Sequence, residues 1–153
     1  MKIRIISVGN KQPKWISESL MGYTTKIKHQ WSVEWIEIKP EKKFDSIAQK
    51  KKQEASNLLN YTNDTYLIAL DENGHNYSSK EFSEKILSWI ENFPSITFII
   101  GGADGLDSSI TNLSSANLSL SKMTLPHHLV KIFLAEQIYR SLSILNNHPY
   151  HRE

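Results

Sequence analysis

Ile96-Thr97-Phe98-Ile99-Ile100-Gly101-Gly102-Ala103-Asp104-Gly105 is an apolar run that breaks into a glycine-rich turn. Two other stretches repeat the theme. Leu67-Ile68-Ala69-Leu70-Asp71-Glu72-Asn73-Gly74 leads an apolar strand into a glycine, and Leu118-Ser119-Leu120-Ser121-Lys122-Met123-Thr124-Leu125-Pro126-His127 ends in a proline-fixed turn. Glycine lacks Cβ and tolerates positive φ, so backbone at such a strand end can approach a bound molecule closely. Open α/β sheets hold ligands at the carboxyl ends of their strands. Three strand ends of this kind predict three walls of one pocket.

Short apolar runs near residues 2–8, 32–38, 65–70, 96–100 and 116–120 alternate with amphipathic stretches. That alternation predicts an α/β fold, a mostly parallel sheet with helices on both faces. The spacing predicts a helix over Lys14 to Lys28 with Trp15, Ser19, Tyr23 and Ile27 in one row. A second, Phe44 to Leu59, sets Phe44, Ile47, Ala48, Ala55, Leu58 and Leu59 toward the core. A third opens at Ser78, where Glu81 offers a capping box, and Pro94 closes it. The last runs from Leu125 to about Asn146, with Leu129, Ile132, Phe133, Glu136, Tyr139, Arg140, Ser143 and Ile144 at helical spacing. Its mixed character suits one face buried in the domain and another against a partner subunit. Trp15, Trp31, Trp35 and Trp89 fall at positions suited to core packing. No linker, repeat or low-complexity tract appears, so residues 1–153 read as a single domain.

A chain of 153 residues can bury roughly two thirds of its unfolded surface. Its 39% hydrophobic and 22% charged content is that of an ordinary soluble domain. The absence of cysteine excludes disulfides and thiolate metal sites and fits a reducing cytoplasm. The opening apolar run is too short for a signal peptide, and no segment approaches a membrane span. A net charge of +2 permits nucleic acid as a partner without arguing for it. Lys42, Lys43, Lys50, Lys51 and Lys52 form the most basic stretch, read first as a solvated helix face and second as a source of phosphate contacts. Lys11 and Lys14 are better placed to touch RNA.

The Gly101–Gly105 turn has neither the Gly-x-Gly-x-x-Gly spacing nor the Gly-Lys-Ser/Thr ending of the common nucleotide-phosphate loops. Taken alone, it reads equally well as a tight strand-to-helix turn with Asp104 or Asp107 as the helix cap. The chain end, Asn146-Asn147-His148-Pro149-Tyr150-His151-Arg152-Glu153, gathers side chains that stack on bases, hold phosphate and move protons. His127 and His128 sit at a helix start, where the dipole disfavours a charged imidazole, and read as neutral. Glu136 and Arg140, four apart, read as an intrahelical pair.

Leu70-Asp71-x-x-Gly74, Ile100-Gly101-Gly102-x-x-Gly105-Leu106, Leu118 to His127, Ala135-Glu136-Gln137-x-Tyr139-Arg140 and Asn147 to Glu153 together resemble the RlmH (YbeA) family of SPOUT-class ribosomal RNA methyltransferases. Val8-Gly9-Asn10-Lys11-x-Pro13-x-Trp15 is similar to the family's opening strand and loop, so the resemblance spans the chain. Asp104 stands where glutamate is frequent in the family.

The resemblance implies a SPOUT domain with a C-terminal trefoil knot, S-adenosyl-L-methionine as cofactor, and a cytoplasmic homodimer acting on the ribosome, without membrane or metal. Carried over by motif, the cofactor loops comprise Leu70 and Gly74; Gly101, Gly102 and Gly105; and Leu120, Ser121, Lys122, Met123, Thr124, Leu125 and Pro126. The implied reaction is methylation at N3 of a pseudouridine in large-subunit (23S) ribosomal RNA. That nitrogen must lose its proton, and the resulting oxygen charge must be steadied. His151 is the candidate base or proton relay, Arg152 the group that holds phosphate or the developing charge, and Tyr150 the group that stacks on or bonds the target base. Two other functions fit the same residues: a SPOUT enzyme acting at another RNA position, and a non-catalytic ribosome-binding module.

Overall fold

The computed structural model describes residues 1–152; Glu153, the end of the tail motif, lies outside the described residues. The elements are β1 (Lys2–Val8), α1 (Lys14–Ile27), β2 (Ser32–Ile38), α2 (Ile47–Leu59), β3 (Tyr66–Asn76), α3 (Ser79–Asn92), β4 (Ser95–Ile100), α4 (Ser108–Leu113), β5 (Ala116–Ser119) and α5 (His127–Leu145). The five strands form one sheet in the order β2-β1-β4-β3-β5, and every pairing is parallel.

Alternate residues of a strand face opposite sides of its sheet. Ile3, Ile5, Ile68, Ile96, Phe98 and Ile100 accordingly pack on one side against α1, α3 and α5, meeting Ile27, Phe82, Ile86, Trp89, Leu134 and Ile138. Ile6, Val8, Leu67, Ala69 and Ile99 pack on the other against Ala55 and Leu58 of α2 and Ile110 of α4. Both faces being covered, the strands read as continuous apolar runs, and each fully buried Ile or Phe contributes on the order of 2 kcal/mol.

Several expectations are corrected. Trp15 is 56% exposed, whereas Trp31 and Trp89 are buried. In α1 the buried residues are Ile16, Leu20 and Ile27, so of the Trp15-Ser19-Tyr23-Ile27 row only Ile27 is buried, and Ile16 and Leu20 lie one position beyond Trp15 and Ser19. α2 starts at Ile47 because the Ser46 side chain caps it, accepting from Gln49 N at 3.1 Å, so Phe44 lies outside the helix and is exposed, as is Ile47. The capping box at Ser78 and Glu81 is present. α4 is an additional helix, capped by Asp107 rather than Asp104. In α5 the buried positions are Lys131, Leu134, Ala135, Ile138, Ser141, Leu142 and Ser143, so the core row includes a lysine and serines. The serines fit because their hydroxyls donate back to the helix, Ser141 Oγ to Gln137 O and Ser143 Oγ to Tyr139 O.

A candidate ligand site at the strand ends

After Ile100, the glycine turn closes on itself: Gly105 N donates to Gly102 O at 3.0 Å, and the two residues form an isolated antiparallel bridge. Gly105 has φ +78°, a conformation that side-chain-bearing residues rarely adopt. A Cβ on Gly101 would lie 2.8 Å from the Gly105 carbonyl carbon, so closure of the turn leaves no room for one. The chain then enters α4, where the Ser109 hydroxyl and amide hold the Asp107 carboxyl below the usual carboxylate range.

β3 builds the second wall. It leaves its ladder with β5 after Leu70 and rejoins at His75, both residues pairing with Leu118. Residues 71–74 are therefore extruded as a bulge within β3, in which Asp71 Oδ1 accepts from Asn73 N at 3.2 Å. Gly74 makes the return: a Cβ there would meet the Asn117 carbonyl carbon at 2.7 Å.

The third wall follows β5. Ser119 Oγ donates to Ser121 O, and Met123 N donates to Ser121 Oγ, both at 2.9 Å. Thr124 Oγ1 donates across to Glu72 Oε2 at 3.4 Å, joining this loop to the bulge extruded from β3.

Together the loops enclose a cavity of about 630 Å³, within the range of small-molecule sites. Leu70, Gly101, Gly102, Gly105, Leu120, Ser121, Met123, Thr124 and Leu125 line it, as the sequence predicted for one shared pocket. Gly74, Lys122 and Pro126 do not. Gly74 packs on β5, Lys122 is exposed, and Pro126 precedes α5 without a side-chain cap.

Lining residues outside the three predicted loops include Lys51, Ser108, Thr111, His127 and Val130, and Glu72 lines the cavity from within the first loop. His127 Nε2 is buried without a hydrogen-bond partner among the described residues. Burial, followed by the neighbouring His128 and Lys131, pushes the His127 imidazole below its ordinary value, so it is neutral at neutral pH. Behind it Lys131, 2% exposed, bonds Gln12 Oε1 at 3.2 Å and pairs with Glu37 Oε2 at 3.4 Å. A buried ammonium requires such partners. On the opposite rim, Lys50 Nζ lies 2.7 Å from Asp104 Oδ2, so the lysine stretch is in part a wall of the site rather than a solvated face alone.

The tail residues fold onto α5. Tyr150 OH donates to Glu136 Oε1 at 3.0 Å, and its ring lies 4.7 Å from that of Tyr139 and under the Arg140 guanidinium. Burial, with the Glu136 hydrogen bond, raises the Tyr150 phenol well above its ordinary value, so it stays a donor. Arg140, bonded to Glu136 at 2.9 Å, also reaches His151 Nδ1 at 3.1 Å. A guanidinium can only donate, so Nδ1 accepts and a neutral His151 carries its proton on Nε2. Arg152 is exposed, its Nε donating to Pro149 O at 3.4 Å. None of these three tail residues lines the cavity of its own chain. From Val130 on the cavity wall to Arg140 beneath the tail, α5 rises about 15 Å.

Among the described residues no group of three or more His, Asp or Glu is placed to hold a metal ion, and no helix is long and apolar enough to cross a membrane.

Fold and pocket together define a class. Over residues 1–151 the chain matches the family described as "Predicted SPOUT methyltransferase". Solved structures share its fold: the tRNA (m1G37) methyltransferase of Aquifex aeolicus, with a TM-score of 0.59 and 13% identity, covers 100% of this chain and 76% of that one. A probable methylase family protein of Haemophilus influenzae gives a TM-score of 0.57 at 13% identity, covering 99% and 70%. More narrowly, the chain belongs to the ribosomal RNA large subunit methyltransferase H family. The relative of that name from Methylobacillus flagellatus is 42% identical over the full length of both chains, and that from Francisella philomiragia is 42% identical over 99% of this chain and 100% of its own.

Proposed function

We propose that the protein transfers a methyl group from S-adenosyl-L-methionine to N3 of a pseudouridine in large-subunit (23S) ribosomal RNA, on the assembled ribosome. The convergence of three strand-end loops on one cavity, in a chain of this family, carries the reading. The residues suit the methyl donor. Leu70, Leu120 and Leu125 offer an apolar slot for the adenine ring, and the glycine turn brings backbone close to it. When bound, this cofactor supplies a sulfonium methyl for in-line displacement.

The chain's own residues must handle the proton and the substrate. His151 acts as base or relay once the substrate takes the place of Arg140 at Nδ1. Arg152 holds phosphate or the oxygen charge that develops when N3 is deprotonated, and Tyr150 packs on or bonds the base. Because the tail docks far from its own cavity, it serves the cavity of a second copy, in a cytoplasmic homodimer whose C-terminal part carries the family's trefoil knot. One short tail reads little local sequence, which favours recognition of the shape of an assembled particle.

Transfer of labelled methyl to ribosomes, isolated subunits and naked RNA in parallel, with mass mapping of the product, tests this. The expected product is N3-methylpseudouridine on the assembled particle. A methyl on a different nucleotide would assign another target, and ribosome binding without any cofactor affinity would leave a binding module.

A further inference from the structure

The loop before α2 and the exposed side of α2 carry lysines that the fold does not hold in ion pairs, although the Asp107 carboxylate acts electrostatically on Lys51 and Lys52. Lys42, Lys43 and Lys52 are exposed and Lys51 lies on the cavity wall. Among the described residues none of these four is in an ion pair, whereas Lys50 is held by Asp104. Glu41 and Asp45 are the acids in the same stretch; the Glu41 carboxylate accepts from Asn57. Phe44 sits among the lysines, 42% exposed, its ring centroid 5.4 Å from Lys50 Nζ. With a net charge of only +2 for the chain, this is a local concentration of positive charge, placed at the rim of the cavity.

Resting on the function proposed above, we propose that this face is a docking rail for the RNA backbone flanking the target nucleotide. Lys42, Lys43 and Lys52 meet phosphates, Lys51 meets the strand at the cavity mouth, and Phe44 offers its ring to a base. Lysine is a compact charge on a flexible stem, which suits phosphate contact without sequence readout, and an exposed ring among cations is a stacking platform. Lys50 fastens the rail to the glycine turn, so RNA held on α2 is held in register with the cavity. Each phosphate neutralised releases counterions, and affinity then falls with salt by a slope of roughly 0.7 to 0.9 per contact.

Ribosome binding measured across a salt series compares the wild type with Lys42→Ala/Lys43→Ala and with Lys80→Ala/Lys85→Ala, exposed lysines of α3 on the other side of the sheet. The Lys42/Lys43 pair is expected to weaken binding about tenfold near 0.1 M salt and to lower the salt slope by roughly 1.5. Phe44→Ala is expected to weaken binding with the slope unchanged, the α3 pair to change neither, and all three variants to keep wild-type affinity for S-adenosylmethionine by calorimetry. Wild-type slope and affinity in the Lys42/Lys43 pair, or an equal loss in the α3 pair, would overturn the rail while leaving methyl transfer by the wild type intact. A slope lost only in the Lys42/Lys43 pair supports the rail even where no methyl is transferred, which is the separate failure of the proposed reaction.

Discussion

Lys50 Nζ and Asp104 Oδ2, far apart in sequence, meet at 2.7 Å and tie α2 to the glycine turn at the cavity rim. The Asp104 hydrogen bond raises the Lys50 pKa, so the pair persists across the neutral range. Lys50→Ala is expected to weaken S-adenosylmethionine binding by roughly two- to fivefold, as for a pair near the surface, and Lys50→Arg to retain most of it. Calorimetry on Lys50→Ala, Asp104→Asn and the double variant checks this; the losses should not add.

Gly101 and Gly105 are expected to respond differently to alanine. A Cβ at Gly101 collides with backbone at 2.8 Å, so Gly101→Ala must displace the turn and lose at least tenfold in cofactor affinity. Gly105 faces open space but has φ +78°, so Gly105→Ala costs about 1–2 kcal/mol of stability in chemical denaturation.

His127 makes stability depend on pH. Its folded pKa is lowered, chiefly by burial, so below the ordinary histidine value of about 6.5 the unfolded chain binds the proton better. Its contribution is fully present above that value and is lost as pH falls toward the lowered folded one. Between pH 7.5 and 5.5 the wild type is expected to lose more thermal stability than His127→Gln; parallel curves would remove His127 as the cause.

The tail variants separate binding from chemistry. His151→Ala and Arg152→Ala are expected to lower kcat by about 100-fold or more with nearly unchanged cofactor affinity, the range of general acid–base effects. Tyr150→Phe keeps the ring on Tyr139 but loses the bond to Glu136, and should give a smaller loss in kcat. Unchanged turnover in all three would take the tail out of the mechanism.

The strands were legible because burial on two faces turns each into an unbroken apolar run, as at residues 96–100, and strand-end glycines marked the pocket. α4 was not, since Ser108–Leu113 is six residues long and too short to show a helical period. The buried row of α5 was obscured by Lys131, whose place in the core depends on Glu37 and Gln12, contacts that no local pattern encodes. The extrusion of residues 71–74 left Gly74 as its one local mark. Lys50–Asp104 and Arg140–His151 are products of tertiary geometry, and the sequence showed the residues without the pairing.

A site shared between two copies is tested most directly by subunit mixing. Gly101→Ala, with a damaged cavity and an intact tail, is coexpressed with His151→Ala, with the reverse, and labelled methyl transfer to ribosomes is measured. Each variant alone is expected to be nearly inactive. Random pairing makes about half the dimers mixed, each with one competent site of two, so the mixture should recover roughly a quarter of wild-type activity. A mixture as inactive as its components would contradict a tail donated by the neighbouring copy.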